Sequence, residues 1–222
     1  MLKDSKLSYN QPYAESLDAD PLLEAGKVLF FIDYALPNFP VYYKTIKDAD
    51  RENRISDFIV HFFQVVKANY FDGFCPYDFR KNPTQASSTR ETDIGVFVLS
   101  LAKPITILEF EAKRLSVSSN NQEYVYGERG GIERFKRGWH SSHLTLSGML
   151  GYVQDNTADY WIEKINKWII SQKNSDNFQL WEGESELLKP IESLHDVEKY
   201  ISSHNRVNLN PIIIHHYFIK LV

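Results

Sequence analysis

ILEFEAKRLS, residues Ile107–Ser116, sets Glu109, Glu111 and Lys113 at every second position of a run that otherwise reads as a buried strand. Buried strands are usually Val, Ile and Leu throughout, so these charges need a reason. Residues two apart in a strand share a face. Glu109, Glu111 and Lys113 therefore point one way, while Thr106, Leu108, Phe110 and Ala112 point the other, into apolar packing. A second strand-like run, DIGVFVLSL (Asp93–Leu101), comes just before ITILEFEAKRL (Ile105–Leu115). The AKP between them is short enough for an antiparallel hairpin. Counting outward from that turn sets Asp93 at the far end, level with Lys113 and close to Glu111.

Two carboxylates facing each other are costly without a counter-ion. A hard divalent cation removes the cost, and magnesium takes oxygen ligands while keeping several waters. Such an ion polarises a phosphodiester and lowers the pKa of bound water. A lysine beside it neutralises charge developing on the phosphate or helps to generate the attacking hydroxide.

Around the hairpin the chain reads as a mixture of helices and strands. GKVLFFIDYALPNFPVYY, broken by Pro37 and Pro40, fits a short helix or strand followed by an extended segment. In DADRENRISDFIVHFFQVVKANY, Ile55, Phe58, Ile59, Phe62, Phe63 and Val66 make one helical stripe, with Asp48 or Asp50 as cap. FDGFCPYDFRKNPTQASSTRE reads as a long irregular connection. A helix is expected from Gly131 through Leu150, interrupted in propensity by Gly138 and Gly148. TADYWIEKINKWIISQK is a clearer helix, capped near Thr157 or Asp159. NFQLWEG reads as a short strand, SLHDVEKYISSHNR as a short helix and PIIIHHYFIKLV as a final strand. No clean domain boundary appears, so one domain is expected over 1–222. Its core is about 51–152, with an N-terminal arm at 1–20 and a helical extension with the final strand over 153–222. The class is α/β or α+β.

Composition narrows the options. Of 222 residues, 43% are hydrophobic and 14% aromatic, enough for a sizeable core and against bulk disorder. The net charge of -4 excludes a strongly basic nucleic-acid coat but allows a local patch. The single Cys75 excludes an intrachain disulfide framework and a cysteine zinc site. The start has no apolar signal region and no run approaches a membrane span, so a cytoplasmic protein is expected. No phosphate-binding GxxxxGK[ST] loop, zinc finger or helix-turn-helix is evident. His215 and His216 face opposite ways in a strand, and His140 and His143 read as surface or supporting residues.

Asp93 followed by Glu111-Ala112-Lys113 resembles the PD-(D/E)xK nuclease superfamily, the restriction-endonuclease-like fold. The Pro of the name is missing here: the aspartate sits in Glu91-Thr92-Asp93-Ile94-Gly95. The resemblance covers roughly Arg51 to Tyr152. It implies a mixed central sheet flanked by helices, whose hairpin carries the aspartate and the triplet. It implies Asp93 and Glu111 as ligands of magnesium or manganese and Lys113 as the third catalytic residue. A further acid on the preceding helix falls on Glu52, with Asp57 second. Phosphate contacts on the following helix fall among Gln122, Arg129, Arg134 and Arg137. The segment GERGGIERFKRGWH is similar to segments of bacterial defence-associated nuclease-like proteins. The implied activity is metal-dependent phosphodiester hydrolysis, a DNA endonuclease of restriction or defence type, acting as a homodimer or in a multi-protein complex. The alternative is a nucleic-acid-binding or protein-interaction module that keeps the fold without the chemistry, its charges forming an ion network. Glu109 is not accounted for by the resemblance: a second ion, or an ion pair with Arg90, Lys113 or a helix cation, are both open.

Overall fold

The computed structural model describes residues 20–46, 51–71, 75–84, 90–99, 104–175 and 180–222. Its centre is a seven-stranded mixed sheet in the order β1-β2-β3-β4-β7-β6-β5. The strands are β1 Tyr77–Lys81, β2 Ile94–Val98, β3 Ile105–Leu115, β4 Leu146–Val153, β5 Lys189–Leu194, β6 Val197–Arg206 and β7 Leu209–Lys220. β1, β2 and β3 form an antiparallel meander. β4 then joins parallel to β3, β7 joins parallel to β4, and β6 and β5 close the sheet antiparallel.

Helices cover both faces. α1 (Pro21–Ala35), α2 (Phe39–Tyr43) and α3 (Glu52–Tyr70) share one core with Leu108, Phe110 and Ala112 of β3 and with Leu150 and Tyr152 of β4. α4 (Gly131–Lys136) and α5 (Ala158–Ser175) share the other with Met149, Val153, Ile214 and Phe218. The predicted two-faced β3 is thus observed over its central residues: Leu108, Phe110 and Ala112 enter the α1–α3 core, and Glu109, Glu111 and Lys113 lie on the face toward α4.

Several sequence expectations change. The stretch after Gly26 is helical, not extended. Pro37 and Pro40 each open a short helical turn, where their missing N–H groups would be unpaired anyway. Asp20 starts α1 by accepting from the Leu22 N–H at 3.0 Å. Asp48 and Asp50, the expected caps of α3, lie outside the described residues. The irregular connection contains β1, whose only buried residues are Tyr77 and Phe79. The expected long helix from Gly131 stops after six residues, because Gly138 adopts φ +64 and the Trp139 N–H returns to the Arg134 carbonyl at 2.8 Å. Leu146 to Val153 is instead a strand buried on both faces, which erases any alternation. Gly148 is required there: a Cβ would stand 2.1 Å from the Phe110 ring. SLHDVEKYISSHNR is a β-hairpin turning at His195, and Leu180–Gly183 is not a strand. The buried polar residues Lys199, Ser202 and His204 hide the strand pattern of β6. α5 and β7 fall where expected, with Thr157 Oγ1 accepting from the Tyr160 N–H at 3.2 Å.

Candidate active site

β2 ends before β3 does. Their pairing stops at Ile94↔Phe110, while β3 continues against β4 as far as Leu115↔Val153. The β2-side edge of β3 is therefore left without a strand from Glu111 onward, and its N–H groups need other acceptors. Two carboxylates supply them. Asp93 Oδ2 accepts from the Ala112 N–H at 2.7 Å, and Glu52 Oε2 accepts from the Arg114 N–H at 2.7 Å. Asp93 comes from the residue just before β2, and Glu52 from the first turn of α3. The pairing opens at Val98↔Ile105, further from the turn than the AKP count assumed, and with the bulge between Val96 and Phe97 it sets Asp93 level with Glu111 and not, as that count predicted, with Lys113.

Glu111 sits at the centre of the cluster. Its Oε1 accepts from Lys113 Nζ at 2.9 Å and from Arg134 Nη1 at 2.8 Å. Its Oε2 stands 3.1 Å from His140 Nδ1, although that nitrogen makes no hydrogen bond. Lys113 Nζ is also 4.0 Å from Glu52 Oε1. Three carboxylates (Glu52, Asp93, Glu111) thus meet two cations (Lys113, Arg134), and Glu111 takes both. Burial pushes the Glu111 carboxyl up, but Lys113, the nearby His140 ring and Arg134 outweigh burial and hold it at about 2. Asp93 goes the other way. Burial first, then the Glu111 charge and more weakly Glu52, push it up to about 7 against Lys113 and the Ala112 N–H. Burial alone would lower Lys113, but Glu111, Glu52 and Asp93 raise it above the ordinary lysine value.

Glu109 has a different task. Its Oε2 accepts from both the N–H (3.0 Å) and the Oγ–H (2.7 Å) of Ser141. Ser141 has φ +52, a left-handed conformation that a residue with a Cβ adopts at a cost. Glu109 thus fixes the turn that follows α4. That turn, set up by Gly138, brings His140 back onto Glu111.

The remaining candidates separate. Arg134 is in the cluster. Arg129 is exposed and lines, with Arg90, Glu91, Glu128, Arg134, Trp139 and His140, an open groove of about 320 Å³, which Arg134 and His140 share with the cluster. Arg137 pairs with Glu133 at 2.6 Å and packs 5.5 Å from the Trp139 ring centre, away from Glu111. Gln122 is exposed on the short turn Asn121–Tyr124, outside the cluster. Asp57 pairs with Lys81 at 2.7 Å. His140 is no helical surface residue: it is 2% exposed and part of the cluster, and only Gly138 hinted that the helix would end before it.

α4 is anchored from behind by a buried polar chain. Lys136 pairs with Glu186, and Glu186 Oε1 is 3.1 Å from His204 Nδ1. His204 Nε2 and His216 Nε2 each lie 2.7 Å from Ser202 Oγ, and His216 Nδ1 lies 2.9 Å from the Tyr124 hydroxyl. Burial raises Glu186, but His204 and Lys136 outweigh it and hold it at about 2, so it is a carboxylate. Burial lowers both histidines, so they are neutral. The protons then have one arrangement: Tyr124 donates to His216, His216 to Ser202, Ser202 to His204 and His204 to Glu186.

Compared with protein-family models, with curated proteins and with solved structures, the chain matches none. No helix among the described residues is long and apolar enough to cross a membrane.

The donor chemistry around Asp93 fits a hard divalent cation: the carboxylates of Asp93, Glu52 and Glu111 converge on one stretch of strand edge, and burial together with the Glu111 charge raises the Asp93 carboxyl. As the side chains stand, no three His, Cys, Asp or Glu among the described residues enclose an ion. Any ion held there would therefore draw the rest of its ligands from water and substrate.

Proposed function

We propose that this protein has the restriction-endonuclease-like fold and hydrolyses phosphodiester bonds in nucleic acid, DNA first, with magnesium or manganese. One observation carries the reading. Four elements that are distant in sequence (α3, the start of β2, the end of β3 and α4) deliver Glu52, Asp93, Glu111 with Lys113, and Arg134 to one unpaired stretch of strand edge. That is the distribution the PD-(D/E)xK resemblance implies: aspartate and triplet on one hairpin, an acid on the helix before it, a cation on the helix after it.

In this reading Asp93, Glu111 and Glu52 would hold the metal, which would supply Lewis acidity toward the phosphate and water. Lys113 and Arg134 face the non-bridging oxygens and stabilise charge as the phosphorus becomes five-coordinate. Arg129, with Arg90, lines the groove through which the backbone approaches. The competing reading, a binding module whose charges only balance one another, is favoured by Glu111, which already has two cationic partners.

Labelled duplex DNA, single-stranded DNA and RNA, incubated with magnesium, with manganese and with chelator, separate the two. Hydrolysis expects metal-dependent cleavage that Lys113→Ala and Glu111→Ala slow by at least about 10²-fold. A module expects metal-independent binding and no cleavage. Cleavage at the wild-type rate in either variant sinks the assignment of residues.

A further inference from the structure

The Nδ1 atom of His140 is buried, makes no hydrogen bond, and stands 3.1 Å from Glu111 Oε2. An imidazole nitrogen in that position normally donates or accepts, since an unpaired buried polar atom is costly. Proximity to Oε2 does not solve the problem, because the 3.1 Å contact lacks hydrogen-bond geometry. Neighbouring ligands on one metal ion have this relation. Two ligands bound at right angles with bonds of about 2.1 Å stand about 3.0 Å apart, and each points about 45° off the line joining them, toward the ion. The rest of the pair is arranged to allow this. Lys113 and Arg134 both occupy Oε1 of Glu111, on the other side of the carboxylate. The histidine cannot swing away: Phe135 packs edge-on to it at 6.0 Å, and Glu109 locks the next residue, Ser141. The ring also lines the groove, so an ion can reach it from solvent.

We propose that His140 Nδ1 and Glu111 Oε2 are adjacent ligands of one divalent ion. The site then takes a nitrogen-tolerant first-row transition ion in preference to magnesium. Imidazole adds little to the binding of magnesium, which is satisfied by oxygen and water, and adds substantially to that of transition ions. A charge argument agrees: the three carboxylates outnumber Lys113 and Arg134, so a dication and one phosphodiester together bring the cluster to balance. This inference rests on the hydrolytic reading of the same cluster.

Manganese(II) is the probe. Free manganese is counted from its six-line electron paramagnetic resonance signal during titration of the full-length protein, and pulsed measurements on the bound ion detect coupling to ¹⁴N. The wild type is expected to bind manganese with imidazole-type ¹⁴N coupling. His140→Gln and His140→Asn are expected to lose the coupling and about 10- to 100-fold in manganese affinity, with magnesium competition changed less than about 3-fold. The wild-type coupling is read without any variant, so a poorly folded substitution does not hide the answer. Manganese bound in a Glu111-dependent way with no nitrogen coupling overturns the role of His140 and leaves the hydrolytic reading intact. No Glu111-dependent manganese binding overturns both.

Discussion

Replacing Asp93 by Asn should stabilise the metal-free protein at pH 8 and leave it nearly unchanged at pH 4.5. Asn keeps an oxygen for the Ala112 N–H, so the hydrogen bond at 2.7 Å survives and only the charge is lost. The native carboxyl titrates at about 7, against about 3.9 for an unfolded aspartate. Between those values the folded state holds a proton that the unfolded state has released. Its contribution to stability is therefore fully present below about pH 4 and is lost as the pH rises through about 7. Three pH units correspond to a ceiling of about 4 kcal/mol; solvent reaching the half-buried carboxyl reduces this to about 1–3 kcal/mol. At about 2–4 °C per kcal/mol, Asp93→Asn should raise Tm by about 2–12 °C at pH 8 in chelator. Glu111→Gln should do the reverse. Its carboxyl is held at about 2, so its stabilisation is present above about pH 4.3 and is lost only as the pH falls through about 2. Removing it strands Lys113 and Arg134 and should cost about 2–4 kcal/mol at pH 8. Magnesium should then raise the Tm of the wild type and close much of the gap to Asp93→Asn. Thermal unfolding by circular dichroism at both pH values reads all of this. If Asp93→Asn destabilises at pH 8 as Glu111→Gln does, the charge of Asp93 is already compensated and the argument for a cation there fails.

Glu109→Ala should cost about 2–4 kcal/mol in urea unfolding, because the Ser141 N–H and hydroxyl lose a buried charged acceptor. It should also free His140 from Glu111, visible as a shift of the His140 ring resonances in NMR. Gly148→Ala should lower stability by about 1–3 kcal/mol through collision with Phe110, read as a lower urea midpoint at unchanged slope. Lys136→Met should cost about 3–5 kcal/mol by stranding Glu186 in the core, and Lys136→Met with Glu186→Gln should recover part of it, which a double-mutant cycle measures.

Alternation made β3 legible, because each of its faces has one character: Leu108, Phe110 and Ala112 against Glu109, Glu111 and Lys113. The stripe of α3 and the apolar run of β7 were legible for the same reason. β4 was not. It is buried on both faces and carries glycines that its neighbours require, so no period survives in the sequence. β6 was hidden because its inward residues include Lys199, Ser202 and His204, whose polarity is satisfied only by partners far away in the chain. Asp93, Glu111 and Lys113 could be set close together by alternation, whereas Glu52 and Arg134 were named only through the nuclease resemblance, Arg134 as one of several cations. The place of His140 depends on where α4 stops, and that of Glu109 on a left-handed serine 32 residues further on. Neither follows from spacing. Glu109, open between a second ion and an ion pair, is seen to hold the turn at Ser141.

The most direct measurement is the single-turnover rate of phosphodiester cleavage at saturating magnesium or manganese, with enzyme in excess. Wild type is compared with Lys113→Met at a temperature where both are folded. The account predicts cleavage by the wild type, and a fall of about 10²- to 10³-fold in the variant, which loses one preorganised donor to the transition state. Equal rates, or no metal-dependent cleavage of any duplex or single-stranded substrate by the wild type, would contradict it.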